Sequence, residues 1–198
     1  MSARWLGRAA ALAALSVVGC SSGSHGADAS VVCDAGLQAM PCANTADGGS
    51  CALDCGPGID APNYEGATHV AEGSTVNYCE NPPASGNHYP VWLMDWGLHP
   101  ENVPRERWVH NLEHGGIVLL YNCPSDCPDV VAQLTALRNS LQPDRYNEVR
   151  VIITADHTMP KKLAALAWGW RWQGDTLDVP TVKCFIADRY DHGPESIP

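Results

Sequence analysis

Positive charge is scarce in this chain: twelve Lys and Arg stand against 22 Asp and Glu among 198 residues, for a formal net charge of −10 and a pI near 5.1. A chain of that sign is repelled by phosphate backbones and anionic lipid headgroups, which argues against nucleic acid as a partner. Phenylalanine is almost missing, with a single residue, so the seven Trp and six Tyr must carry the aromatic packing. There is no Gly-rich phosphate loop and no GxSxG nucleophile elbow, the commonest signals of nucleotide binding and of serine-based acyl transfer. Past the first twenty residues no segment is apolar enough to cross a membrane.

Cysteine, by contrast, is abundant. Nine are too many for an ordinary reduced cytosolic domain, and an odd count asks for a special use of one of them. The N-terminus offers that use. Arg4 and Arg8 form a positive head, Ala9 to Val18 is an apolar stretch too short to span a bilayer, and Val17-Val18-Gly19-Cys20 resembles a bacterial lipobox. The reading is a signal peptide over 1–19, acylation of Cys20 and a flexible lipidated tether over 20–32 that includes Ser21-Ser22-Gly23-Ser24. A plain signal peptide cleaved slightly later is the alternative. Either places the domain outside the cytoplasm; the lipobox attaches it to a bacterial membrane, the outer membrane being favoured, and makes that membrane its partner.

Eight cysteines remain. Cys33, Cys42, Cys51 and Cys55 recur within a Gly-, Asp- and Asn-rich segment over 33–60 that has almost no aliphatic residues, so disulfides rather than a core would have to hold it as a small stapled module. Zinc is the rival there, but the CxxxC of Cys51 and Cys55 lacks a second tight pair. Cys123 and Cys127 repeat that spacing between a strand and a helix; a thioredoxin-like redox pair would be CxxC, so a structural disulfide is expected. Cys79 with Cys184 is the expected further bridge.

The main domain should occupy 61–198. Its first half is rich in Pro, Gly, Asn, His and Trp without a long period and reads as irregular chain packed on a scaffold. Regular signals follow: an apolar strand over 116–121, a helix from Pro128 carrying Val130, Val131, Leu134, Leu137 and Leu141, and a Val/Ile/Thr-rich strand over 148–155. Residues 163–172 favour a strand, and a last helix over about 178–190 shows Val182, Phe185 and Ile186 on one face. The order β-α-β-β-α predicts an α+β domain with helices on one sheet face, a long irregular N-terminal half and a disulfide-rich segment in front.

Histidine is where chemistry concentrates. His69, His88, His99, His110 and His114 crowd into the early half of the domain, and imidazole is the commonest protein ligand for late first-row metals. His110 and His114 stand at i, i+4, on one face of a helical turn that Gly115-Gly116 would end. Glu113 between them could orient an imidazole or act as an acid or base. The spacing is that of zincin HExxH but the Glu is misplaced for it, so zincin chemistry does not carry over. The Pro82-Pro83-Ala84-Ser85-Gly86 loop is rigid and would aim His88. The Met159 thioether suits a copper shell, whereas His with Glu113 and water suits zinc; copper is favoured. The Trp residues are read first as core and secondly as lining for a ligand cleft.

The segments YCENPPASGNHY (Tyr78 to Tyr89) and VHNLEHGGIVLLY (Val109 to Tyr121), with Asn122-Cys123-Pro124 and Cys127-Pro128 behind them, resemble the family known as domain of unknown function 3105. The resemblance runs from about Thr68 to Pro194-Glu195 and leaves Cys33 to Cys55 outside. It implies that His69, His88, His110, Glu113 and His114 fall on the family's His and Glu positions, with Met159-Pro160 and Trp168-Gly169 at shared positions too. The sequence therefore points to a transition-metal-binding lipoprotein using His88, His110 and His114, completed by His69 or Met159. The alternatives are a metalloenzyme, oxidoreductase or hydrolase, with Glu113 as acid or base, and a structural surface module whose His are buried hydrogen-bonders.

Overall fold

A computed structural model describes residues 54–195 and 197. The signal peptide, Cys20, the tether and Cys33, Cys42 and Cys51 lie outside the described residues.

The strands β1 (Ile59–Asp60), β2 (Gly97–His99), β3 (Ile117–Tyr121), β4 (Val151–Ala155), β5 (Leu163–Ala167) and β6 (Trp170–Gly174) form one mixed sheet in the order β1-β6-β5-β3-β4-β2. β2, β4 and β3 run parallel, and β5, β6 and β1 continue antiparallel from β3. Three helices complete the α+β domain: α1 (Arg105–Glu113), α2 (Pro128–Asn139) and α3 (Val179–Arg189). The register Ile117↔Val151 and Val118↔Ile152 sends odd-numbered residues of β3 and β4 to one face and even-numbered ones to the other. Ile117, Leu119, Val151 and Ile153 meet Leu134 and Leu137 of α2 and Val182, Phe185 and Ile186 of α3. Val118, Leu120 and Ile152 meet Trp108, Val109 and Leu112 of α1. With both faces covered, the central strands read as unbroken apolar runs rather than alternating ones.

The two expected helices start where their chemistry allows. Pro128, which needs no N–H partner, opens α2. Asp178 caps α3, its carboxylate accepting from the Thr181 amide at 3.3 Å and from the Thr181 hydroxyl at 2.8 Å. Both pack on the same sheet face, while α1 closes the opposite one out of sequence that read as irregular. The expected strand over 163–172 is a hairpin: Gly169, at φ +73°, makes the turn between Trp168 and Trp170 and donates its amide to Ala84 O at 2.7 Å. β1 comes from the end of the cysteine-rich segment, pairs with β6, and fixes Asp60 on Arg171 at 2.5 Å.

One disulfide differs from expectation. Cys184 bonds to Cys55, not to Cys79, so the last cysteine of the N-terminal segment is stapled to α3 rather than within its own module. Cys79 is also disulfide-bonded. Spacing could not give this pairing, because Cys55, just ahead of the edge strand β1, comes beside α3 only in the folded chain. In the chain-entropy picture a bridge spanning 129 residues restrains the unfolded state by about 5 kcal/mol. The Cys123–Cys127 bridge, only four residues apart, restrains it by about 2 kcal/mol.

Candidate metal centre

The site is built on the last turns of α1. Trp108, Val109 and Leu112 anchor that helix to the sheet, which leaves His110, Glu113 and His114 side by side on the remaining face. A second piece of backbone is laid against it. Gly86 N donates to Gly66 O at 2.8 Å, His88 N to Thr68 O at 3.1 Å, and Val70 N to His88 O at 2.8 Å, so that His69 and His88 form a parallel bridge. Gly86 is required here: its φ is +129° and an added Cβ would lie 2.7 Å from the Tyr78 ring. Tyr78 in turn donates its hydroxyl to Asn87 O at 2.6 Å. Tyr89 N reaches Glu106 O on α1 at 2.9 Å, and Arg171 donates to Pro82 O at 2.9 Å, tying the Pro-rich loop to helix and sheet.

The result is convergence. His69, His88, His110 and Glu113 each offer a ligand atom, and the four lie within 4.8 Å of one another; all but His69 are buried. The tautomers follow from the neighbours. His88 Nδ1 lies 2.7 Å from Gly86 O and His110 Nδ1 lies 2.7 Å from Tyr89 O; a carbonyl can only accept, so both rings carry the proton on Nδ1 and present a bare Nε2 when neutral. His88 Nε2 then sits 3.0 Å from Glu113 Oε2, and no hydrogen bond satisfies it. Two buried acceptors face to face are held together only by a proton or a cation between them.

A second group shares His110. Its Nε2 lies 3.0 Å from His114 Nε2, which lies 3.3 Å from Glu195 Oε2. Glu195 arrives on the C-terminal tail, whose Asp191 and Glu195 amides donate to Gly115 O at 2.9 Å and Glu113 O at 3.1 Å. A side chain at Gly193 would drive its Cβ to 2.2 Å from Glu113 O, so only glycine lets the tail lie this close. Buried Arg150 holds the same corner, bonded to His114 O and paired with Asp144 and Asp191.

Burial, chiefly, pushes the His110 pKa down, and the neighbouring His88 and His69 add to it against the Tyr89 carbonyl. Burial and then the nearby His110 push His114 down to about 4. Burial alone would raise Glu113, but the adjoining His88, and after it His110 and His69, outweigh burial and hold the carboxyl below its ordinary value. Neutral imidazoles beside an ionised carboxylate are the forms that coordinate a cation. Trp92 stands edge-on to His114 and His110, with centroids 4.3 and 5.4 Å away, and Trp168 edges His88 at 6.2 Å. These rings wall the site, leaving His69 and Glu195 on its exposed sides.

Of the residues singled out from sequence, His69, His88, His110 and Glu113 come together in one group, and His114 joins the adjacent one. Met159 is buried in the apolar cluster on the α1 face, among Trp108, Leu166 and Trp168. His99 bonds instead to Asp95 O and Glu101. Glu195 escaped the sequence reading; its only signal was its place at the end of the family-like stretch, 81 residues from His114.

Fold and site together define an α+β domain with a buried imidazole–carboxylate donor cluster. A family model described as Protein of unknown function (DUF3105) matches residues 69–197, and the chain belongs to that family. None of the curated proteins and none of the solved structures matches it.

Proposed function

We propose that the domain binds one transition-metal ion through His69, His88, His110 and Glu113. The observation that carries this is His88 Nε2: buried, turned into the site by the Nδ1 contact to Gly86 O, lacking a hydrogen bond, and 3.0 Å from a carboxylate oxygen. The donors fit a late first-row ion, which would neutralise the carboxylate and satisfy the bare nitrogens. A carboxylate in the set supports zinc or copper(II) over copper(I), since the copper preference drawn from sequence leaned on the soft Met159 thioether. Glu113 sits among the donors, which makes it a ligand before it is a free acid or base and favours binding or delivery of metal over hydrolysis.

The domain acts, in this proposal, outside the cytoplasm, tethered to a membrane through acylated Cys20. The Cys55–Cys184 and Cys123–Cys127 disulfides support an oxidising compartment. The test is metal content by mass spectrometry of the full-length protein, as isolated and after chelation and reloading with zinc or copper(II), alongside His88→Ala and His110→Ala. About one equivalent in the wild type and none in either variant is expected. A wild-type protein that stays metal-free at micromolar zinc and copper(II) would sink the reading. Labelled palmitate that enters the wild type but not Cys20→Ala tests the anchor.

A further inference from the structure

We propose that the Cys123–Cys127 pair is a second, independent site, a thiol–disulfide exchange centre acting on cysteine-bearing polypeptides. It owes nothing to the metal reading, and its placement is what argues for it. The parallel strands β2, β4 and β3 end together at His99, Ala155 and Tyr121, and in open α/β sheets ligands gather outside such carboxyl ends. The chain leaves β3, turns through Cys123-Pro124-Ser125-Asp126-Cys127 and enters α2 with Cys127 at the N-cap and Pro128 at the first helical position. A cavity of about 590 Å³ opens there, walled by Leu98, Tyr121, Val131 and Ala155, with both cysteines in its lining and His157 at its edge. Asn122 fixes the opposite loop, donating to Met159 O at 2.8 Å. The extra residue in CxxxC favoured a structural bridge on spacing alone, yet the folded chain gives this pair the strand-end and helix-start position that reactive pairs use.

A structural role accounts poorly for the pair. The bridge closes so short a ring that it restrains the unfolded chain less than half as much as Cys55–Cys184, which spans most of the domain. The two sulfurs also differ in access: Cys123 is buried and Cys127 is partly exposed to the cavity. A thiolate of an incoming polypeptide therefore reaches Cys127 Sγ. The Sγ–Sγ bond breaks, its electron pair leaves on Cys123 Sγ, which takes a proton from water, and a mixed disulfide forms. The polypeptide's second thiolate attacks its own bridged sulfur and expels Cys127 as a thiolate. The polypeptide dithiol is thereby oxidised to a disulfide and the protein pair reduced to two thiols, with two electrons transferred. The α2 N-terminus favours negative sulfur at Cys127 against the opposing charges of Asp126 and Asp129. The apolar walls, with Asp126 as the one carboxylate in the lining, suit an extended polypeptide better than glutathione, a small anion.

The test uses the full-length protein in chelator, stepped through dithiothreitol, alkylated and mapped by peptide mass spectrometry. Cys123–Cys127 should open at about tenfold lower reductant than Cys55–Cys184. The oxidised protein should convert a synthetic apolar peptide dithiol to its disulfide, one equivalent per Cys123–Cys127 pair. Cys123→Ser, mixed with the oxidised peptide, should hold it as a mixed disulfide on Cys127. Bridges that open together, a Cys123–Cys127 pair that opens last, or a peptide that stays reduced would each overturn the proposal.

Discussion

The two faces of the sheet solve different problems with the same strands. On the α2/α3 face, Ile117, Leu119, Ile153, Leu134, Val182, Phe185 and Ile186 form an apolar core, and the polar groups of that region stay at its edges as caps. On the α1 face the packing is just as tight, but His88, His110, Asn111, Glu113 and His114 are buried with the apolar residues. Burying unpaired imidazole and carboxylate costs stability that Leu or Ile at the same positions would have supplied. The lesson is a division of labour: one face stabilises the domain, and the other uses that stability to keep donor atoms dry and fixed.

The largest effect is expected from damage to the apolar face alone. Phe185 is fully buried, so Phe185→Ala should cost about 3–5 kcal/mol, read by urea unfolding in chelator, while the fraction still folded retains wild-type metal stoichiometry. Loss of metal uptake by folded protein would show that the faces are not separable. The converse is His110→Ala. Metal affinity should fall by a hundredfold or more, beyond the 10–100-fold typical of removing an outer partner of a ligand, and stability in chelator should move by about 1 kcal/mol or less.

Acidification should act on the α1 face before the other. The unfolded chain protonates His114 near its ordinary value of 6.5, whereas the folded chain resists until about 4. Between those values the unfolded state holds more protons, so the unfolding free energy falls as pH drops through that window. His110, also pushed down, acts with the same sign. Glu113, held ionised in the fold, adds a loss below its ordinary value of 4.5. His114→Gln should flatten the slope of stability against pH between 6.5 and 4 in chelator; an unchanged slope would remove His114 as its cause. The smallest effect is expected at the rim. Glu195→Gln should slow metal uptake in stopped-flow measurements by a few-fold and leave the stoichiometry intact, because Glu195 meets His110 only through His114 at the exposed end.

Much of the α2/α3 face was legible in advance because it obeys period. The Leu134/Leu137 spacing and Val182-Phe185-Ile186 put apolar residues on one buried helix face each, so pattern and structure coincide. α1 showed only its last turn, through the His110 and His114 spacing, for the opposite reason. Every residue from Trp108 to Glu113 is buried, and the polar ones among them erase the apolar stripe that marks a helix. The hairpin at Gly169 hid because one glycine can sit within a strand or end it, and only pairing with β3 decides.

The site divides in the same way. Spacing alone identifies the donors within reach of local geometry: His110, Glu113 and His114 share a helical face, and a Pro- and Gly-rich loop marks His88 as held rigidly. It takes the folded chain to show that His69 and Glu113 complete one group while His114 turns to Glu195 in another, that Cys184 belongs to Cys55, and that the Cys123–Cys127 pair faces a cavity. Spacing along a helix fixes direction over a few residues, but convergence across 20 to 130 residues depends on how strands pair and loops dock, and that is set by the packing of the whole chain.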